Sequence, residues 1–295
     1  MASQKDLLEK WSSRIKAEKL DETIAVVKNA LAGYKRFPKS VRVAYYLHGS
    51  HLNGTNTQYN TPVDVAIELT SITGSSKSNE DPFAGKDLTY KSFRENILES
   101  MQNAFGEGSV QDGDNVIHII GSPNRLPVNV LVCFKYKLFI KHGRDEVEKL
   151  GVAFYTKKGK ELIINFPKQH NAYEAVKESG SQGQFLATVR VFKNIRDRLV
   201  QMGHMDENRT PSYFLESFIC NAPTGMFTKD YISSIANLLD FWKKNAWRNY
   251  ITIDGFRSLW GDSPQSWNVE DAKFFLEAIR KVGKDPAFWQ SGTDA

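Results

Sequence analysis

Strand-forming sequence stops near residue 170. Before that point β-branched and aromatic runs recur at 41–47 (VRVAYYL), 63–70 (VDVAIELT), 116–120 (VIHII) and 128–140 (VNVLVCFKYKLFI). Residues 152–166 (VAFYTKKGKELIINF) set Lys-Lys-Gly-Lys between two apolar runs, which is a hairpin pattern. From about 171 onward the apolar spacing changes to three and four, and helices are expected at 182–202, 210–220, 228–247 and 269–282. The same spacing predicts helices over 5–36, with Gly33 as a stop, and over 90–105. The polar stretch 74–87 (GSSKSNEDPFAGKD) reads as a loop. The chain is therefore expected to be α+β: a mixed half over 1–170, with the sheet and an N-terminal helix, then an all-helical half over 171–295. A ligand is expected in the cleft between two such halves.

Composition removes several function classes. No apolar run approaches the roughly 20 residues that cross a bilayer, and the charged N-terminus lacks the apolar core of a signal peptide, so a cytoplasmic protein with no membrane partner is expected. Cys133 and Cys220 lie in apolar surroundings, as small buried thiols of a reducing compartment do. The six histidines are scattered with no cysteine pair to join them, which argues against a structural zinc site. Tryptophans 242, 247, 260 and 267 fall in the helical half and are expected in its core. The net charge of +5 suits a phosphate-bearing ligand, although excess lysine alone would give the same number. No basic block argues for duplex DNA.

The stretch LHGSHLNGTNTQYNTPVDVAIEL, 47–69, concentrates the chemistry. Gly49-Ser50 directly follows a strand; such a glycine lets backbone approach a phosphate closely, and the serine hydroxyl and neighbouring amides can donate to its oxygens. A polar loop with Asn53, Gly54 and Thr55 follows, then a strand bearing Asp64. Two-metal nucleotidyl transfer needs carboxylates that hold two divalent ions roughly 4 Å apart. Carboxylates two residues apart on one strand share a face, and a neighbouring strand supplies a third.

On these residues the chain resembles the cGAS/DncV-like nucleotidyltransferases, the CD-NTases, relatives of the oligoadenylate synthetases. The likeness rests on GSHLNGTNTQYNTPVDVAIEL, VNVLVCFKY, NFPKQH (165–170), VRVFKNIRDRL (189–199) and TPSYFLESFICNAP (210–223). The resemblance implies a polymerase-beta-like nucleotidyltransferase core with a mixed sheet, then an oligoadenylate-synthetase-like helical domain. It implies that Gly49, Ser50, Lys193, Ser212 and Tyr213 hold a nucleotide: Lys193 and Ser212 on phosphate, Tyr213 stacked on a base. From the residues alone, Lys193 with Arg190 could equally be a solvated basic face, and Ser212 a helix cap. His170 in NFPKQH reads as a structural hydrogen-bonding residue rather than a general base.

The departures fall on the metal ligands. The family's carboxylates follow the turn serine by 12 and 14 residues, which here are Pro62 and Asp64; the third position is Asn129. Glu68 shares Asp64's face but lies about 13 Å along an extended strand, too far to bridge the same ions. The expected function is therefore a degenerate, catalytically inactive CD-NTase, a pseudoenzyme that binds a nucleotide or cyclic oligonucleotide, or a protein partner encoded in a defence operon, in bacterial antiphage (CBASS) signalling. Residual metal binding would fall to Asp64 alone. Two alternatives stay open: an active transferase using Mg2+ or Mn2+ to make a cyclic or linear second messenger, and a protein-interaction module with a vestigial cleft.

Overall fold

The computed structural model describes residues 3–15, 18–33, 37, 41–57, 62–263 and 265–290. In chain order the elements are α1 (Gln4–Ser12), α2 (Leu20–Gly33), β1 (Val43–His48), α3 (Ser50–Asn53), β2 (Val63–Ser75), α4 (Tyr90–Phe105), β3 (Val110–Asp112), β4 (Ile117–Ile119), β5 (Val128–His142), β6 (Asp145–Tyr155) and β7 (Leu162–Asn165). The helices α5 (Pro167–Gly180), α6 (Phe185–Gln201), α7 (Ser212–Cys220), α8 (Tyr231–Lys244) and α9 (Val269–Val282) follow. The chain is thus a mixed α/β core with a helical C-terminal part, as the sequence pattern implies.

Contacts divide it into two compact units, one of Lys16–Asn53 and Asn60–Lys168, the other of Met1–Ile15, Gly54–Tyr59 and Gln169–Ala295. This division differs from a linear cut near 170 at two segments, the N-terminal helix and the loop after the Gly-Ser turn.

The sheet unit is built on the two-residue period of β2 and β5. Strand order is β1-β2-β5-β4-β3, with β6 paired to the far half of β5 and β7 to β6. β2 and β5 run parallel; the β1–β2, β4–β5 and β5–β6 pairs are antiparallel. Val63, Val65, Ile67 and Leu69 on β2 and Val128, Val130, Val132 and Phe134 on β5 are buried in one cluster with Val27 and Leu31 of α2 and Phe93, Ile97 and Met101 of α4. Each such side chain contributes about 1.5–3 kcal/mol on burial. Alternation therefore sends Asp64, Ala66 and Glu68 to the opposite face, the one that carries the candidate site.

The helical unit packs around α6. Leu7, Leu8 and Trp11 of α1 share one core with Phe185, Val189, Phe192 and Ile195 of α6, Phe218 of α7 and Trp242 of α8. A Ser3–Asp6 capping box starts α1. Trp242 and Trp267 are buried, and Trp247 and Trp260 pack against the same core partly exposed, around the Phe218 ring.

Several sequence expectations need correction. The helix expected over 5–36 is two helices, α1 and α2, whose apolar faces belong to different cores; residues 34–36 lie outside the described residues. β2 runs to Ser75, into the expected loop, because its end stays paired to Tyr136 and Lys137 of β5. β3, half of β6 and all of α5 were not expected. In α5 only Glu174 is buried, so the apolar periodicity that reveals a helix is missing. The one cue is Pro167 at its first position. No described helix is long and apolar enough to cross a membrane.

Candidate functional site

The site on the sheet unit is a row of four side chains across four strands. His48 of β1 is in register with Asp64 of β2, Asp64 with Asn129 of β5, and Asn129 with His118 of β4. Residues in register point to one face, so the row reads His48–Asp64–Asn129–His118. Asn129 donates from Nδ2 to Asp64 Oδ1 at 2.9 Å. Its Oδ1 lies 2.7 Å from His118 Nδ1, and since an amide oxygen only accepts, that imidazole nitrogen carries the proton. The third carboxylate position is thus filled by an amide that turns its donor, not its acceptor, toward Asp64.

A two-metal centre does not fit these residues. The side chain of Pro62 supplies neither charge nor oxygen. The Asn129 oxygen is engaged by His118, and one oxygen of Asp64 by Asn129. Glu68 accepts from the Tyr46 hydroxyl at 3.0 Å, further along the face. Among the described residues, Asp64 belongs to no group of three metal-ligating side chains. What remains suits at most one ion, at Asp64.

The turn beside Asp64 keeps the form its sequence implies. Gly49 has φ +67°, and a Cβ there would collide with Asp64 Oδ2, so both the backbone conformation and the close approach require glycine. Ser50 opens the one-turn helix α3, and its hydroxyl is buried without a hydrogen-bond partner among the described residues. His48 Nε2 is buried in the same condition. Burial pushes the His48 pKa down, more than the Asp64 charge raises it, so the imidazole stays neutral near pH 7. These two buried polar atoms without partners flank the glycine turn. Gly49→Ala should cost roughly 1–3 kcal/mol through its positive φ and displace Asp64; a wild-type melting curve for that variant would refute the turn geometry.

On the helical unit the expected nucleotide-holding residues are arranged differently from a solvated basic face. Lys193 is 2 % exposed, and its Nζ donates to Glu216 Oε1 at 2.8 Å and to Thr55 Oγ1 at 3.2 Å. Arg190, one turn earlier, donates to the carbonyls of Ser12 and Gly54, both at 2.6 Å. Both cations point inward and fasten the 54–57 loop to α6, and the Lys193 charge is balanced by Glu216. Ser212 does not cap α7; its hydroxyl accepts from Arg196 Nη1 at 3.0 Å. Arg196 is thus the basic group beside the Ser-Tyr pair, one turn beyond Lys193 on the same helix. Tyr213 donates its hydroxyl to Asp254 at 3.0 Å, and its ring lies 5.8 Å from that of His170. Burial, then Asp254, push the phenol well above its usual pKa.

Residues 172–284 match the family described as cGAS/DncV-like nucleotidyltransferase C-terminal helical domain. The chain is 27% identical over 274 residues to the cyclic UMP-AMP synthase of Rhodothermus marinus, covering 91% of this chain and 93% of that protein. It is 27% identical over 265 residues to the cyclic nucleotide synthase CdnE01 of Staphylococcus haemolyticus, covering 85% and 88%. The structure of the Rhodothermus marinus CdnE c-UMP-AMP synthase with Apcpp and Upnpp superposes with a TM-score of 0.81 at 26% identity, over 99% of both chains. Residues 172–284 thus match the C-terminal helical domain of the cGAS/DncV-like nucleotidyltransferases, and the chain as a whole is similar, nearly end to end, to cyclic nucleotide synthases.

Proposed function

We propose that this protein takes nucleoside triphosphates and joins them into a cyclic or linear oligonucleotide, at a rate held far below that of an enzyme with a complete carboxylate triad. The observation that carries the reading is the correspondence, over 99% of both chains, with a synthase whose structure holds two nucleotide analogues. On the sheet unit, Gly49 and the orphaned Ser50 hydroxyl hold phosphate oxygens and Asp64 supplies the one remaining negative charge. On the helical unit, Ser212, positioned by Arg196, contacts phosphate, and Tyr213 offers a ring for a base; stacking of that kind is worth about 1–3 kcal/mol. Lys193 acts by holding Glu216 and Thr55 in place. The relatives' bacterial sources suit a role in antiphage signalling.

A second reading, capture of a nucleotide or cyclic oligonucleotide without joining, is favoured by one observation: the His118–Asn129–Asp64 hydrogen bonds engage the Asn129 oxygen and one oxygen of Asp64. One experiment separates the readings. Purified protein and its Asp64→Ala variant are incubated with the four ribonucleoside triphosphates and Mg2+ or Mn2+, and products are read by mass spectrometry. Product from the wild type and none from the variant supports joining. No product, but a triphosphate- or cyclic-dinucleotide-dependent rise in melting temperature, supports capture. Neither product nor thermal shift discards both and leaves a protein-interaction module.

A further inference from the structure

The helical unit contains a second cluster of metal-competent groups, built from residues the nucleotide reading does not use for chemistry. His170 and Glu174 stand four apart on α5, so they lie one above the other on one face of the helix. Glu216 reaches them from α7. His170 Nε2 lies 3.1 Å from Glu174 Oε1 and 3.5 Å from Glu216 Oε2, and one ligand atom from each residue falls within 4.8 Å of the other two. Both carboxylates are buried, at 3 % and 4 % exposure. His170 Nε2 is buried between them yet makes no aligned hydrogen bond to either.

We infer that His170, Glu174 and Glu216 form a binding site for a single zinc-class divalent cation. Zinc bonds of roughly 2.0–2.2 Å in tetrahedral geometry put ligand atoms about 3.3–3.5 Å apart. The Glu216 separation of 3.5 Å lies at the edge of that span, and the Glu174 separation of 3.1 Å falls just below it, at the long end of an N–H···O bond. One imidazole with two carboxylates is a donor set that zinc accepts. The outer groups are also in place. Glu216 Oε1 is held by Lys193 Nζ and by the Thr55 hydroxyl, both at 2.8 Å, which leaves Oε2 directed at His170. With Lys193 counted, the cluster carries one net negative charge when His170 is neutral, and a dication turns this to one positive. Lys193 thus limits the affinity without blocking the site. The sequence pattern argues against a structural zinc site; this cluster departs from that expectation because its ligands converge only through the packing of α5 against α7.

The test uses full-length protein without a polyhistidine tag, stripped with a chelator and titrated with zinc in a calorimeter. One equivalent of zinc is expected to bind. His170→Gln and Glu174→Gln should each weaken binding at least tenfold, and Thr55→Ala, which loosens Glu216, by about 10–100-fold. Cobalt substituted for zinc in the wild type should give the intense visible bands of a tetrahedral site, a readout independent of whether any variant folds. Absence of stoichiometric zinc uptake, uptake unchanged in His170→Gln, or a cobalt spectrum like that of the aqueous ion would each overturn the assignment and leave the cluster as a buried ion-pair network with protonated His170 at its centre.

Discussion

Replacing Pro62 and Asn129 together by aspartate is expected to raise the rate of nucleotide joining about a thousandfold. A charge pair at 4 Å is worth roughly 4 kcal/mol at an effective dielectric constant near 20. If the two added carboxylates deliver about that much to a divalent centre in the transition state, the rate gains roughly three decades at 1.36 kcal/mol each. The positions are geometrically prepared. A carboxylate at 62 lies two residues from Asp64 and so on the same face, and one at 129 replaces an amide already 2.9 Å from Asp64 Oδ1. Asn129→Asp alone should behave otherwise. It exchanges a donor for a second negative charge against Asp64, so without divalent cation the variant should melt below the wild type, and magnesium should restore it. The measurement is initial rate by mass spectrometry, with melting curves in chelator and in magnesium. A double variant that folds, binds triphosphate and shows no gain would mean that something other than missing carboxylates limits turnover.

The second large effect is on stability. Glu216→Ala should destabilise the helical unit by roughly 3–5 kcal/mol, because it leaves Lys193 as an unbalanced buried charge. Replacing Lys193 by Met and Glu216 by Leu together should recover much of that loss, since two apolar groups need no partners. The pair thus couples non-additively in a double-mutant cycle. Acid should expose the same arrangement. Burial by itself raises the Glu216 pKa, but Lys193 and then His170 outweigh it and hold the group below its ordinary 4.5. Its contribution is therefore full above 4.5 and is lost as pH falls through the lower folded value. His170 runs the other way. Burial lowers its pKa, but Glu174, with Glu216 and Asp254, raises it above 6.5. That contribution is full below 6.5 and is lost as pH rises through the higher folded value. The two overlap between about 4.5 and 6.5, where the stability difference between wild type and His170→Gln should be largest in apo protein. A difference that does not shrink as pH rises well above 6.5 would discard the ion-pair account.

Much of the frame was legible in the chain. The alternation of VDVAIEL and VNVLVCF marks strands with one buried face, and the spacing from Ser50 puts Pro62 and Asp64 where paired carboxylates would stand. The alternation depends only on the two-residue period of a strand, which is local; the placing of Pro62 and Asp64 comes from the family resemblance. The elements that escaped lack a local signal. α5 buries only Glu174, so no apolar stripe announces it. The outer part of β6, DEVEKL, is mostly charged and is a strand because β5 offers it a backbone partner from Lys137 to His142.

The sequence by itself determined the mixed-then-helical order, which follows from residue identity and short spacing, and its resemblance to the CD-NTases marks Pro62 and Asn129 as lost carboxylate positions. Only the tertiary structure decided what fills the loss. It set the Asn129 amide between Asp64 and His118, turned Lys193 inward onto Glu216, grouped α1 with the helical core, and brought His170 and Glu174 against Glu216 more than forty positions away. Those choices are made by buried charges and donors finding partners. Coulomb and hydrogen-bond energies there depend on distances in space, which no residue spacing encodes.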